Sequence, residues 1–153
     1  MYPQFYRISS GKGVSSHELV SFDNALINAG ISNYNLLRVS SILPAGCKKC
    51  STISLKPGSP LLVAYGSISS DKSGQLISSA VGIGVPSENT NIGIIMEYSG
   101  FTDAKYAEQI VKTMIEESMK NHNIELDKIQ LSSIECEVPE TKFLTVISAV
   151  ALW

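Results

Sequence analysis

The sequence predicts a single-domain α+β fold in which helices cover sheets. Two observations carry that expectation. The β-prone runs cluster along the chain instead of alternating with helices, and two segments repeat apolar residues at helical spacing. The 153 residues contain no internal repeat, low-complexity tract or linker, and that length suffices to bury a sizeable core.

Residues 2–8 read as a short strand, with Gly11-Lys12-Gly13 breaking it. Ser15-Ser16-His17-Glu18 has the form of a capping box, Ser15 as N-cap and Glu18 three residues on. The helix that follows places Leu19, Phe22, Leu26 and Ala29 on one stripe and ends at Gly30. Residues 33–42 read as a strand, Pro44-Ala45-Gly46 as a turn, and 47–60 as a loop with some extended structure. Three β-prone runs follow at 61–69, 75–85 and 91–98, separated by Asp71-Lys72-Ser73-Gly74 and Pro86-Ser87-Glu88-Asn89. Thr102-Asp103 opens a second helix to about residue 121, with the stripe Ala104, Ala107, Val111, Met114, Ile115, Ser118 and a supporting Glu108–Lys112 pair. The last strands are 129–138 and 143–152. The second of these is almost uncharged, as in a terminus docked centrally or against another subunit.

Hydrophobic residues make up 44% and charged residues 17%, which argues against disorder and points to some surface being buried between subunits. A net charge of -2 and the lack of a basic patch argue against a nucleic-acid partner. No apolar run reaches the length of a membrane span, and residues 1–7 lack the pattern of a signal peptide. The chain therefore reads as cytoplasmic and free of the membrane. Cys47, Cys50 and Cys136 are an odd number, so no disulfide framework is required.

Phosphate-binding loops and dinucleotide fingerprints are absent. His17 and His122 fall at helix ends and read as capping or surface residues. Cys47-Lys48-Lys49-Cys50 is a lone CxxC after a proline turn, without the second close pair that zinc wants. It reads as loop cysteines, with a metal or redox module as the alternative and no metal expected.

Three features have more chemical content. Asp23 lies at the edge of the first helix's apolar face, where it is either a boundary residue reaching water or a receptor for a cation. Glu97, in Ile94-Ile95-Met96-Glu97-Tyr98, either marks an exposed strand end or is a buried carboxyl with a raised pKa, suited to donating a proton. Ser40-Ser41 sits in the apolar run Arg38-Val39-Ser40-Ser41-Ile42. Alone it means no more than two polar residues on a half-buried strand.

Together these residues resemble the pyruvoyl-dependent arginine decarboxylases. The resemblance is an ordered set covering nearly the whole chain: Phe22-Asp23-Asn24-Ala25-Leu26-Ile27-Asn28-Ala29-Gly30-Ile31, Asn33-Tyr34-Asn35-Leu36, Arg38-Val39-Ser40-Ser41-Ile42-Leu43-Pro44, Ala64-Tyr65-Gly66 with Ser69 and Asp71, Ile95-Met96-Glu97-Tyr98, and Ala149-Val150-Ala151-Leu152-Trp153. Ser32, where the family often has glycine, and the Cys47–Cys50 loop depart from it.

The resemblance implies self-cleavage between Ser40 and Ser41. The Ser41 hydroxyl would attack the Ser40 carbonyl carbon and give an ester. Elimination would leave chain 1–40 with a Ser40 carboxylate. The former Ser41 would become dehydroalanine and then, with loss of ammonia, the pyruvoyl group heading chain 41–153. That carbonyl would accept the substrate amine as a Schiff base and act as the electron sink for decarboxylation, as pyridoxal phosphate does elsewhere. By position, Glu97 would be the proton donor and Asn35 would assist processing beside the cleavage site. Asp23 would pair with the substrate guanidinium, and Leu26 and Tyr34 would line the pocket.

The implied fold is a layered αββα sandwich assembled as a trimer or a dimer of trimers, with active sites between neighbouring subunits. The implied reaction converts L-arginine to agmatine and carbon dioxide, feeding polyamine synthesis. Asp23 favours a cationic substrate but does not separate arginine from lysine or ornithine. The alternatives are a pyruvoyl enzyme for another amino acid and a non-catalytic oligomeric ligand-binding domain that never cleaves.

Overall fold

The computed structural model describes residues 2–153. In chain order the elements are β1 (Phe5–Ser15), α1 (Glu18–Ala29), β2 (Asn35–Arg38), β3 (Ile42–Leu43), β4 (Lys48–Lys49), β5 (Pro60–Ser70), β6 (Leu76–Pro86), β7 (Gly93–Gly100), α2 (Ala104–Asn121), β8 (Leu126–Glu137) and β9 (Phe143–Leu152). They form a five-stranded sheet in the order β2-β5-β9-β1-β4 and a four-stranded sheet in the order β3-β7-β6-β8. The sheets pack face to face. α1 covers the outer face of the first and α2 the outer face of the second, which is the expected αββα layering.

Period-two alternation explains how each strand serves two layers. Along β9, Ile147, Ala149 and Ala151 face α1, while Val150 and Leu152 face the other sheet. A strand used on both faces must be apolar throughout, so β9 carries no charge and sits at the centre of its sheet. Between the sheets, Val81, Ile83, Ile95 and Val150 are fully buried, and each contributes about 1.5–3 kcal/mol of transfer free energy.

Several sequence expectations need correction. Gly11-Lys12-Gly13 does not break β1, which pairs with β9 from Tyr6 to Ser15. These glycines permit close approach instead. A Cβ on Gly11 would stand 2.5 Å from the Ala29 backbone nitrogen, and one on Gly13 would collide with the Ser21 carbonyl and the Ala25 nitrogen. The N-cap of α1 is His17, with no side-chain cap; Ser15 Oγ accepts from the His17 N–H at 3.1 Å and Glu18 is the first helical residue. The buried face of α1 is Ser21, Ala25, Leu26 and Ala29, leaving Leu19 79% exposed. Small residues are needed there because the helix lies almost on the β1 backbone. Gly30 does end the helix, with φ 75°. In α2 the buried stripe is Ala107, Val111, Ile115 and Met119, and Glu108 accepts from Ser133 Oγ at 2.5 Å.

The correction that matters most for function concerns residues 33–42. They do not form one strand: β2 belongs to the five-stranded sheet and β3 to the four-stranded one. Val39, Ser40 and Ser41 are where the chain crosses from one sheet to the other.

Candidate active site

The crossing is anchored at both ends. The Val39 N–H donates to the Val63 carbonyl at 3.1 Å, prolonging the β2–β5 ladder by one residue. The Ile95 N–H donates to the Ser41 carbonyl at 2.7 Å, and Ile42 then pairs with Ile94. Ser40 is exposed and Ser41 half-buried. A pyruvoyl group made from Ser41 would keep this carbonyl, so the Ile95 donor would hold it in place. The residues present therefore fit that group.

Glu97 lies two residues beyond Ile95 on β7. Residues two apart share a face, at a separation of about 7 Å. Ile95 belongs to the inter-sheet core, so Glu97 also points between the sheets, at an end where packing becomes polar. There it lies against Gly66 of β5, where an added Cβ would be 3.0 Å from Glu97 Cγ and 3.0 Å from Ser99 Oγ. Ser99 Oγ donates to Ser79 Oγ at 2.8 Å, and Ser79 Oγ donates to the Gly66 carbonyl at 3.0 Å. The Glu97 side chain is 27% exposed and mid-strand, so it does not mark a strand end. Burial pushes its pKa above the ordinary value, and Arg38 partly opposes that rise.

Arg38 is a residue whose part the sequence did not disclose. Its guanidinium reaches around the open edge of β5 beyond the end of β2. It donates to the Tyr65 carbonyl at 2.9 Å, lies 4.7 Å from the centroid of the Tyr65 ring, and comes within 3.7 Å of Glu97 Oε1. Phe22 of α1 meets the same ring at 6.3 Å between centroids. The one available signal was that the chain has only two arginines, Arg7 and Arg38.

One chain does not bring all the named residues together. Ser40, Ser41, Arg38 and Glu97 form one group. Asn35 starts β2, donates from Nδ2 to the Gly58 carbonyl at 2.8 Å, and is separated from Val39 by roughly 13 Å of strand rise. Asp23 is exposed on α1, beyond the outer face of the five-stranded sheet, whereas Glu97 lies on the inner side. Leu26 is buried between α1 and that sheet, and the Tyr34 hydroxyl lies 3.5 Å from the Ile53 and Leu55 carbonyls. A cleft of about 330 Å³ is lined by Glu18, Leu19 and Phe22 of α1 and by Ser69 of β5.

Comparison with known proteins decides the family. A family model described as pyruvoyl-dependent arginine decarboxylase matches residues 5–153. The chain belongs to the pyruvoyl-dependent arginine decarboxylase family. A protein of that name from Methanocaldococcus jannaschii is 36% identical over 151 residues, covering 99% of this chain and 90% of that one. One from Thermococcus kodakarensis is 38% identical over 124 residues, covering 80% and 78%. Among solved structures, a pyruvoyl-dependent histidine decarboxylase superposes with a TM-score of 0.54 at 15% identity, covering 65% of this chain and 52% of that one, which shows a shared fold. The family's cofactor is the covalent pyruvoyl group.

His17 and His122 are the N-cap and C-cap residues of the two helices. Among the described residues no group of three His, Cys, Asp or Glu is placed to hold a metal ion. Cys47, Cys50 and Cys136 are free thiols, and among the described residues no helix is long and apolar enough to cross a membrane.

Proposed function

We propose that this chain decarboxylates L-arginine to agmatine after cleaving itself between Ser40 and Ser41. The observation that supports this best is the juxtaposition at the sheet-to-sheet crossing. The Ser41 carbonyl is pinned by the Ile95 N–H, and two residues along the same strand a half-buried Glu97 has a raised pKa. The pyruvoyl carbonyl supplies the electron sink that no ordinary side chain offers.

The protein groups do the rest. The Ile95 N–H fixes the main chain at the reacting end. Glu97, whose pKa burial raises, delivers a proton to the carbon that loses carbon dioxide. Phe22 and Tyr65 wall the site from the α1 side. Asp23 receives the substrate guanidinium, a planar fork that a carboxylate matches with two oxygens. Leu26 and Tyr34 shape the pocket behind it, and Asn35 assists processing.

Since Asp23 and Glu97 lie on opposite sides of one sheet, the site is completed across subunits of a trimer or a dimer of trimers. The outer face of α1 supports this. Leu19, Val20 and Ile27 are 79%, 46% and 58% exposed around Asp23, an apolar surface suited to a neighbouring copy. Three free thiols suit a reducing cytoplasm.

The test is a mass spectrum of the denatured protein together with an arginine-turnover assay. We expect two chains meeting at Ser40–Ser41, the longer with a pyruvoyl terminus, and release of agmatine. A single whole chain without turnover would refute the reading. Two chains that turn over only a neutral amino acid would refute the substrate.

A further inference from the structure

The Arg38–Glu97 pair straddles the proposed cut. Arg38 lies on the 1–40 side, two residues before its end, and Glu97 lies on the 41–153 side. The pair is loose: 3.7 Å, through one nitrogen and one oxygen, where a tight charge-assisted bond would be about 2.7–2.9 Å. The guanidinium itself is well seated, by the Tyr65 carbonyl at 2.9 Å and the Tyr65 ring at 4.7 Å. Its contact with Glu97 can therefore be exchanged without unseating it.

A competing acceptor arises next to it. Val39 is tied to β5 next to Arg38, Ser40 follows two residues after Arg38, and both Arg38 and Ser40 are exposed. When the Ser41 oxygen has taken the Ser40 acyl group from nitrogen, elimination breaks the Cβ–O bond of Ser41 as its Cα proton leaves. That leaves a free carboxylate on Ser40, about 7 Å of strand from Arg38 and within reach of its side chain.

We propose that Arg38 is a positioning residue that changes partner on self-cleavage: it holds the Glu97 carboxylate in the uncut chain and passes to the Ser40 carboxylate in the cut one. The inference rests on the cleavage site and the Glu97 role proposed above, and it deepens them. In the uncut chain Arg38 opposes the rise that burial causes in the pKa of Glu97. In the cut chain that opposition is withdrawn, and the acid holds its proton more tightly. Arg38 is the charged group that faces Glu97 among the described residues. β5 presents Gly66, β6 presents Val81 and Ser79, and β7 itself adds Ser99, all neutral.

Carbon-13 carboxyl NMR titration of glutamate-labelled protein tests this, with Glu97→Gln assigning the resonance. The Ser41→Ala chain serves as the uncut form and the wild type as the cut form. Glu97 should titrate at lower pH in Ser41→Ala than in wild type. Arg38→Ala should raise the midpoint in the Ser41→Ala background and remove the difference between the two forms. If Arg38→Ala misfolds, Arg38→Lys, which keeps a charge but not the fork, should give an intermediate difference. A wild-type chain that stays whole at Ser40–Ser41 overturns the cleavage reading and this inference with it. Cleaved protein whose Glu97 midpoint equals that of Ser41→Ala overturns the inference alone, as does a difference that persists unchanged without the Arg38 side chain.

Discussion

Replacing Glu97 with glutamine separates the proposed catalytic role from a structural one, because the two carry very different magnitudes. The amide keeps the shape of the side chain against Gly66 and Ser99 but has no acidic proton to give. Its structural cost is small. The partner, Arg38, is 61% exposed and keeps its bond to the Tyr65 carbonyl, so losing a pair of this kind is worth no more than about 1 kcal/mol. For a domain of this length that corresponds to a midpoint shift of no more than about 4 °C. The chemical cost is larger. A positioned general acid contributes roughly 10²- to 10⁴-fold, or about 2.7–5.5 kcal/mol of barrier. The anchor at Ser41 is a backbone bond to Ile95 and is untouched, so self-cleavage should proceed. The expected result is a cleaved, pyruvoyl-bearing protein with near-normal melting and kcat for arginine down by two orders of magnitude or more. Steady-state agmatine release and intact-mass measurement on the same preparation give both readouts. Full activity would remove Glu97 from the acid role. An equal loss of melting temperature and activity would make it a structural residue.

Three further outcomes are expected. Ser41→Ala should remain one uncleaved chain by intact mass, because no hydroxyl is left to attack the Ser40 carbonyl. Gly13→Ala should destabilise by more than the roughly 1–3 kcal/mol of ordinary overpacking, because the new Cβ meets the backbone of α1 at Ser21 and Ala25; denaturant titration should show a lower midpoint. Glu97 also predicts a pH dependence of stability. Its carboxyl is raised from 4.5, so the folded state holds the proton more tightly than the unfolded one. Its contribution is complete below pH 4.5 and is lost as pH rises through the folded value. Wild type should therefore lose stability relative to Glu97→Gln over that range, and a constant difference in thermal midpoints would contradict the shift.

The sequence discloses most of the layering and little of how the site is put together. β9 was legible because a central strand packed on both faces has to be apolar throughout, and α2 because its outer face is solvated and its inner face is not. α1 misled for a physical reason. It packs through Ser21, Ala25 and Ala29 onto Gly11 and Gly13, so its buried side reads as small and polar and its exposed side as apolar. The same cause made Gly11 and Gly13 look like a break. Residues 33–42 carry a continuous β-prone pattern, and nothing in such a pattern records that the strand changes sheets at Val39. The Arg38–Tyr65–Glu97 cluster joins three strands by contacts 27 and 59 residues apart in sequence, which no local periodicity encodes.

That change of sheet is also what would make Ser40–Ser41 a workable place for the proposed cut. A peptide inside a ladder is held on both sides by bonds to its neighbours, and breaking it would open the sheet. At the crossing, Val39 is secured to β5 and the Ser41 carbonyl to β7, while the peptide between them belongs to neither ladder. A cut there leaves each new end tied to a different sheet. The short chain would keep β1, α1 and β2, with β1 paired to β9 along the ten residues from Tyr6 to Ser15. The long chain would keep β9 and all of the second sheet. The two pieces would therefore share the five-stranded sheet and its packing against α1, and the new terminus would stay pinned on the strand that carries Glu97. A self-made electrophile beside the proposed proton donor would require that the fold survive its own cleavage, and a sandwich cut where its chain passes between sheets would meet that requirement.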